Sequence, residues 1–314
     1  MNVLSLFDGM SCGQIALERA GIKINKYYAS EIKKHAIKVT KEHYPNTVHI
    51  GDVTKVKYKD GVLYTENGIY EVGKIDLLIG GSPCQDFSPL KWINWESKGL
   101  EGDKSKLFYE YLRLLREVAP KYFMLENVKM KKESEQALND FLGVTGIHIN
   151  SSLVSYQNRP RIYWTNIPGV EVPRDKNINF QDYKDTEYEY CKQFKVNKTL
   201  SRERMWNDGK GRNQKGACAN VTNAKKVYCV TRKQDRFPNS GLIEFEDFCR
   251  YLTRKEIELA QTLPIGYTNS LTYGQMQDLC GDGWTVDVVA HIFNNLKNIS
   301  IEPLPIFEQL RLAI

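Results

Sequence analysis

Ile75–Ser88, IDLLIGGSPCQDFS, constrains this chain more than any other stretch. Ile75–Ile79 is apolar apart from Asp76 and reads as a buried strand. Gly80 and Gly81 are expected to end it. Ser82-Pro83-Cys84 then puts a thiol on a rigid turn where the backbone leaves a sheet. In open α/β sheets, ligands sit beyond the carboxyl ends of the strands, so a cysteine there is placed to react. A lone cysteine is more often a buried apolar side chain. What surrounds Cys84 decides between the two.

The same pattern recurs upstream. Val3–Phe7 is a short apolar strand running into Asp8-Gly9-Met10-Ser11-Cys12-Gly13, with helix expected over Gln14–Ala20. Strand, glycine turn and helix together present backbone N–H groups to a nucleotide-like ligand. The next strand, Lys26–Ser30, ends at Glu31. An acid roughly 20 residues past the glycines is placed to accept ribose hydroxyls; a solvated helix cap is the other reading of Glu31. His49–Ile50 leads to Gly51-Asp52-Val53, a third strand end, whose acid suits an adenine amino group. The chain has no G-K-[ST], and its glycines fall short of G-x-G-x-x-G, which disfavours a P-loop and a pyrophosphate cofactor. An adenosyl group without phosphates fits better, and S-adenosylmethionine is the commonest such cofactor.

Beyond Cys84, Gln85–Asp103 lacks helical or strand periodicity and reads as a long loop. Ser105–Ala119 is an amphipathic helix with Phe108, Leu112 and Leu115 on one face. Tyr122–Leu125 is a strand that ends at Glu126-Asn127, the same sheet-end position as Cys84. Val154–Asn166 reads as extended, so Arg159 and Arg161, two apart, are expected on one face. Lys192–Arg236 holds 13 Lys and Arg against 3 acids, a net +10 where the whole chain carries +6. Trp206, Tyr228 and Phe237 lie in or beside it, which is the character of a polyanion surface. Leu252–Gln261 returns to a helical pattern, and Asp278–Phe293 carries Gly281-Asp282-Gly283-Trp284 and another apolar helix.

Seven scattered cysteines with no C-x-x-C argue for reduced thiols in an intracellular protein, against a disulfide framework or a metal site. The first residues lack a basic and apolar leader, and no apolar run approaches the ~18 residues of a membrane span. No membrane partner is therefore expected.

Six stretches, in order, resemble the motifs of the cytosine-C5 DNA methyltransferases: LSLFDGMSCG, GGSPCQDFS, Glu126-Asn127-Val128, Gln157-Asn158-Arg159-Pro160-Arg161, YLTRKEIELAQTLP and GDGWTVDVVAHIF. The last of these, with RKQDRFP at Arg232–Pro238, looks closest to the de novo, vertebrate-type branch. The resemblance covers nearly the whole chain. It implies an α/β fold, with a Rossmann-like methyltransferase core of mostly parallel sheet and helices on both faces. A small target-recognition insert would interrupt that core. The expected division is 1–169 for the cofactor-binding core, 170–251 for the insert and 252–314 for a segment returning to the core.

The resemblance also implies the chemistry. Cys84 would attack cytosine C6 as a covalent nucleophile, making C5 enamine-like. Glu126 would act at N3 as general acid. Arg159 and Arg161 would hold O2, with Arg161 orienting Glu126 as the alternative. The cytosine would be flipped out of duplex DNA, near Gln85, Phe87, Ser88, Asn127 and Gln157. Phe7, Asp8, Gly9, Met10, Ser11 and Cys12 would line the methionine end of S-adenosylmethionine. Glu31 would take the ribose and Ile32 would pack on adenine, which Asp52 and Val53 would read. Pro83, Leu107, Asp282, Gly283 and Trp284 would close the pocket. Arg202, Arg204, Arg212, Arg232 and Arg236 are the candidates for DNA readout. Double-stranded DNA is the implied partner; monomer and weak dimer both remain open. Two other readings share these motifs: a methyltransferase acting on tRNA, and a non-catalytic DNA-binding paralogue. The presence of Cys84, Glu126, Arg159 and Arg161 counts against the paralogue.

Overall fold

The computed structural model describes residues 1–82, 106–197, 199, 219–232, 234, 240–245 and 247–298. The chain forms two compact units, both assembled from separated segments. The first comprises Met1–Ile149, Pro160–Val172 and Ala290–Ile314; the second comprises Asn150–Arg159 and Pro173–Val289.

In the first unit, β1 (Asn2–Leu6), α1 (Cys12–Arg19), β2 (Lys26–Ser30), α2 (Lys34–His43) and β3 (Val48–His49) alternate along the chain. A small sheet of β4 (Lys57–Lys59), β5 (Val62–Thr65) and β6 (Gly68–Glu71) follows. Then come β7 (Leu77–Gly81), α3 (Lys106–Val118), β8 (Tyr122–Val128), α4 (Lys132–Leu142), β9 (Ile147–Asn150) and β10 (Pro160–Thr165). The seven-stranded sheet runs β3-β2-β1-β7-β8-β10-β9. Pairs β3–β2, β2–β1, β1–β7 and β7–β8 are parallel, and β10 runs antiparallel to β8. Strand order reverses at β1/β7. Right-handed crossovers then put α1 and α2 on one face and α3 on the other. Central strands are buried on both faces, and Leu4, Leu6, Leu78, Phe123 and Leu125 belong to one core with Phe108, Leu112 and Leu115 of α3.

The strand at Ile75–Ile79 is shifted from its expected place. β7 starts at Leu77, and the two glycines expected to end it lie inside it. The cause is packing. A Cβ at Gly80 would stand 2.9 Å from the Tyr111 ring and 3.1 Å from the Leu6 carbonyl. Glycine lets α3 close onto the strand while pairing continues through Leu6↔Gly80 and Gly81↔Glu126.

In the second unit, α5 (Tyr188–Lys192), β11 (Ile243–Phe245), β12 (Phe248–Arg250), α6 (Arg254–Ala260) and α7 (Tyr273–Asp282) precede α8 (Val286–Asn294), which carries the chain back into the first unit. Capping boxes start α6 and α7, with Thr253 paired to Glu256 and Thr272 to Gln275. Gly283 closes α7 in an extended conformation, and the apolar helix expected after Gly281-Asp282-Gly283-Trp284 is α8. Arg250 and Glu256, both fully buried, form a two-pronged ion pair at 2.7 and 2.8 Å.

Candidate functional site

The reversal of strand order at β1/β7 opens a crevice beyond the carboxyl ends of the strands, the usual ligand position in such sheets. Backbone strain gathers there. Phe7 (φ 58°) and Ser11 (φ 58°) flank Gly9 (φ 60°), all in the left-handed region. The ends of the strands are stitched together. The Asp8 N–H donates to the Ser30 carbonyl at 3.1 Å, and the Ser30 hydroxyl donates to the Gly51 carbonyl at 2.7 Å.

Several turn side chains face inward, contrary to expectation. Met10, Ser11 and Cys12 are buried, so the turn offers a ligand its backbone and not these side chains. The Ser11 hydroxyl donates to Asp8 Oδ2, and the Tyr27 hydroxyl donates to Oδ1 at 2.7 Å. Burial pushes the Asp8 carboxyl up from 3.8 to about 6 despite these bonds. Val53 is likewise buried, within the core. Leu107 packs partly buried against that core.

What remains outward fits an adenosyl group. Among the described residues nothing stands within 4 Å of where a Gly9 Cβ would be. Glu31 accepts the Gly9 N–H on Oε2 and the Ile32 and Lys33 N–H groups on Oε1, each at 2.8 Å. Glu31 thus ties down the backbone just ahead of α2, whose first turn has no side-chain cap, and Oε2 keeps acceptor capacity for a hydroxyl. Ile32 beside it is an apolar side chain left 68% exposed. Asp52 spends Oδ1 on the Thr54 N–H at 2.9 Å, which leaves Oδ2 as an acceptor.

At the end of β8, Arg161 Nε lies 2.9 Å from Glu126 Oε1, with both side chains about nine-tenths buried. Glu126 is in register with Gly81 of β7 on one side and Tyr163 of β10 on the other. Asn127 is buried beside it. Its Nδ2 faces the Ser82 carbonyl and hydroxyl at 3.4 Å, and its Oδ1 accepts the Val128 N–H at 2.8 Å. Asn127 thus acts on the strand end that leads to Cys84.

Two expectations need correcting. Arg159 and Arg161 do not share partners. In the second unit, Arg159 donates to the carbonyls of Val230 at 3.2 Å and of Gly281 and Gly283 at 2.8 Å. Only Pro160–Thr165 of the expected extended run is strand, so the parity argument does not reach Arg159. Gln157 is fully buried and cannot face a substrate. Its Nε2 donates to the Ala260 carbonyl at 2.9 Å and to Gln261 Oε1 at 3.1 Å, and its Oε1 accepts the Val230 N–H at 2.7 Å. Also in the second unit, Asp282 is exposed, Gly283 carries the carbonyl bound by Arg159, and Trp284 is buried. Arg232 reaches Asp278 at 3.9 Å with most of its side chain exposed. Pro83, Cys84, Gln85, Phe87, Ser88, Arg202, Arg204, Arg212 and Arg236 lie outside the described residues. Among the described residues there is no cluster of groups that could hold a metal, and no helix is long and apolar enough to cross a membrane. Sequence reasoning missed Glu66, on the turn between β5 and β6, which bonds the Asp52 backbone.

Known proteins place this architecture. Solved structures of the same fold include the Dnmt2 methyltransferase of S. pombe, with a TM-score of 0.66 at 17% identity over 96% of this chain and 100% of that one. Another is the Entamoeba histolytica methyltransferase EhMeth, with a TM-score of 0.65 at 16% identity over 99% and 98%. Among curated relatives, the orphan methyltransferase M.Rho11sI of Bacillus phage rho11s is 32% identical over 176 residues, which is 52% of this chain and 32% of that protein. The type II methyltransferase M.NgoBV of Neisseria gonorrhoeae is 30% identical over 184 residues, 52% of this chain and 40% of that one. The matches thus span well under half the length of these relatives. The model of the C-5 cytosine-specific DNA methylases matches residues 1–298. The chain belongs to the C-5 cytosine-specific DNA methylase family, whose methyl donor is S-adenosylmethionine.

Proposed function

We propose that the chain methylates C5 of a cytosine flipped out of duplex DNA. The observation that carries this reading is the Glu126–Arg161 pair at 2.9 Å, on a strand end in register with Gly81, three residues ahead of Cys84. That arrangement supports an acid and a fixed cation at the strand end beside Gly81, from which the sequence runs on to Cys84. The Cys84 thiolate adds to C6, breaking the C5–C6 double bond. Glu126 supplies a hydrogen bond and then a proton at N3 as the ring gains charge. Arg161 orients Glu126 and stabilises negative charge at O2. S-adenosylmethionine, when bound, supplies the methyl group from its sulfonium to C5. Loss of the C5 proton to a water acting as base, and return of the N3 proton to Glu126, restore the double bond and expel the Cys84 thiolate.

Glu31, Ile32 and Asp52 would hold the adenosyl group. Lys192–Arg236 would meet phosphates, with Arg202, Arg204, Arg212, Arg232 and Arg236 as readers. The division into a core (1–169 and 252–314) and an insert (170–251) belongs to the same reading, as does an intracellular setting with access to DNA.

Bisulfite sequencing of DNA from cells expressing the chain or its Cys84→Ala variant tests the proposal. Protected cytosines with the parent alone support it, and equal protection with Cys84→Ala overturns the covalent mechanism. Incubation with labelled donor and either DNA or tRNA decides the substrate, since label entering only tRNA would reassign it to RNA.

A further inference from the structure

The turn between β5 and β6 is seated on the end of β3. Asn67 Nδ2 donates to the His49 carbonyl at 3.0 Å. Glu66 uses its two oxygens separately. Oε1 accepts the Asp52 N–H at 2.8 Å, and Oε2 holds the Lys55 ammonium at 2.5 Å. Gly51 makes room for this. Its φ is +78°, and a Cβ there would stand 2.4 Å from Glu66 Oε1.

Lys55 sits three residues past Asp52, and its charge interacts with the Asp52 carboxylate. Asp52 Oδ1 is spent on the Thr54 N–H. An ammonium released from Glu66 would therefore compete for Asp52 Oδ2. That is the same oxygen an adenine amino group needs.

We propose that Glu66 is a positioning residue for purine selection: by holding Lys55 it keeps Asp52 Oδ2 open to a 6-amino group, and by bonding the Asp52 N–H it fixes the strand end. This rests on the reading of Asp52 as part of the adenosyl site. The selectivity follows from donor and acceptor matching. A 6-amino purine donates to a carboxylate oxygen, whereas a 6-oxo purine presents an acceptor that a carboxylate repels and a free ammonium attracts.

Calorimetric titration of the full chain with S-adenosylhomocysteine and with its 6-oxo counterpart, S-inosylhomocysteine, tests this. Glu66→Gln keeps an acceptor for the Asp52 N–H but loses the charge that holds Lys55. It should weaken S-adenosylhomocysteine binding by about two- to fivefold, the range of an exposed charge pair, and lower the ratio of 6-amino to 6-oxo affinity. Adding Lys55→Met should restore both, because the competing charge is gone. Lys55→Met alone should stay within about twofold of the parent. A merely structural part for the hairpin would not be rescued by removing Lys55. Unchanged affinity in Glu66→Gln, or a loss that Lys55→Met does not reverse, overturns the proposal while parental binding stands. A parent that binds neither compound overturns the adenosyl reading and the part given to Glu66 together.

Discussion

Glu126 and Asp8 are both buried carboxyl groups at strand ends, and they are set up differently. Glu126 has a guanidinium partner. Asp8 is met by hydroxyl donors, from Ser11 and Tyr27. Glu126→Gln keeps the shape but removes the transferable proton. It should cut methyl transfer by about 10²–10⁴-fold while leaving S-adenosylhomocysteine affinity unchanged, as read by single-turnover assay and calorimetry. Asp8 bears on stability. Its carboxyl titrates near 6 in the folded chain and near 3.8 when exposed. Between those values the unfolded chain has lost a proton that the folded chain keeps, so stability falls as pH rises and levels off above about 6. Asp8→Asn removes this loss. In urea unfolding, its advantage over the parent should grow from pH 4 to 6 and then hold, at no more than about 3 kcal/mol. The positions of Glu31 and Asp52 just past strands, and of Glu126 and Asn127 near the end of β8, were legible from the apolar runs before them. Gln157 and Arg159 were not, since their partners at Ala260 and Gly281 lie 103 and 122 residues away.

Among the elements, the parallel strands and the helices of the first unit were visible in hydrophobic pattern, with ends displaced by a few residues. β7 shows the cause of one such displacement. Glycine reads locally as a strand breaker, but at Gly80 the close approach of Tyr111 of α3 makes glycine the residue that lets the strand continue. Gly80→Ala should destabilise the chain by about 1–3 kcal/mol in equilibrium unfolding, because the ring or the strand has to move. The sheet of β4–β6 was missed although its turn chemistry is explicit. Asp60-Gly61 and Asn67-Gly68 are hairpin signals, and Asp60 and Gly61 adopt φ of 51° and 80°. The strands are only 3 or 4 residues long, too short for an alternating pattern to announce them. The apolar helix expected after Gly281-Asp282-Gly283-Trp284 was legible as α8, Val286–Asn294.

Across the whole molecule, charge is distributed unevenly. With a net +10 in Lys192–Arg236 against +6 overall, the remainder is net acidic. Binding to duplex DNA should weaken steeply with salt. Replacing Arg202, Arg204 and Arg212 together should reduce the slope of log K against log[salt] by up to about 3, as read by fluorescence anisotropy. The interleaving of the two units was illegible, because composition changes near Gly169 whereas the units divide on packing. One consequence concerns synthesis. The first unit draws on Met1–Ile149, then Pro160–Val172, then α8 from Ala290 onward. A ribosome adds about 5–20 residues each second, so the β1–β8 sheet waits several seconds or more for its last segment. The whole of 173–289 emerges in the interval. The nascent chain therefore passes through a stage in which the first unit lacks its last segment, whose Ala290, Ile292 and Phe293 are buried in the finished fold. Synonymous codon changes within 173–289 that slow translation prolong that stage and should lower the yield of folded protein.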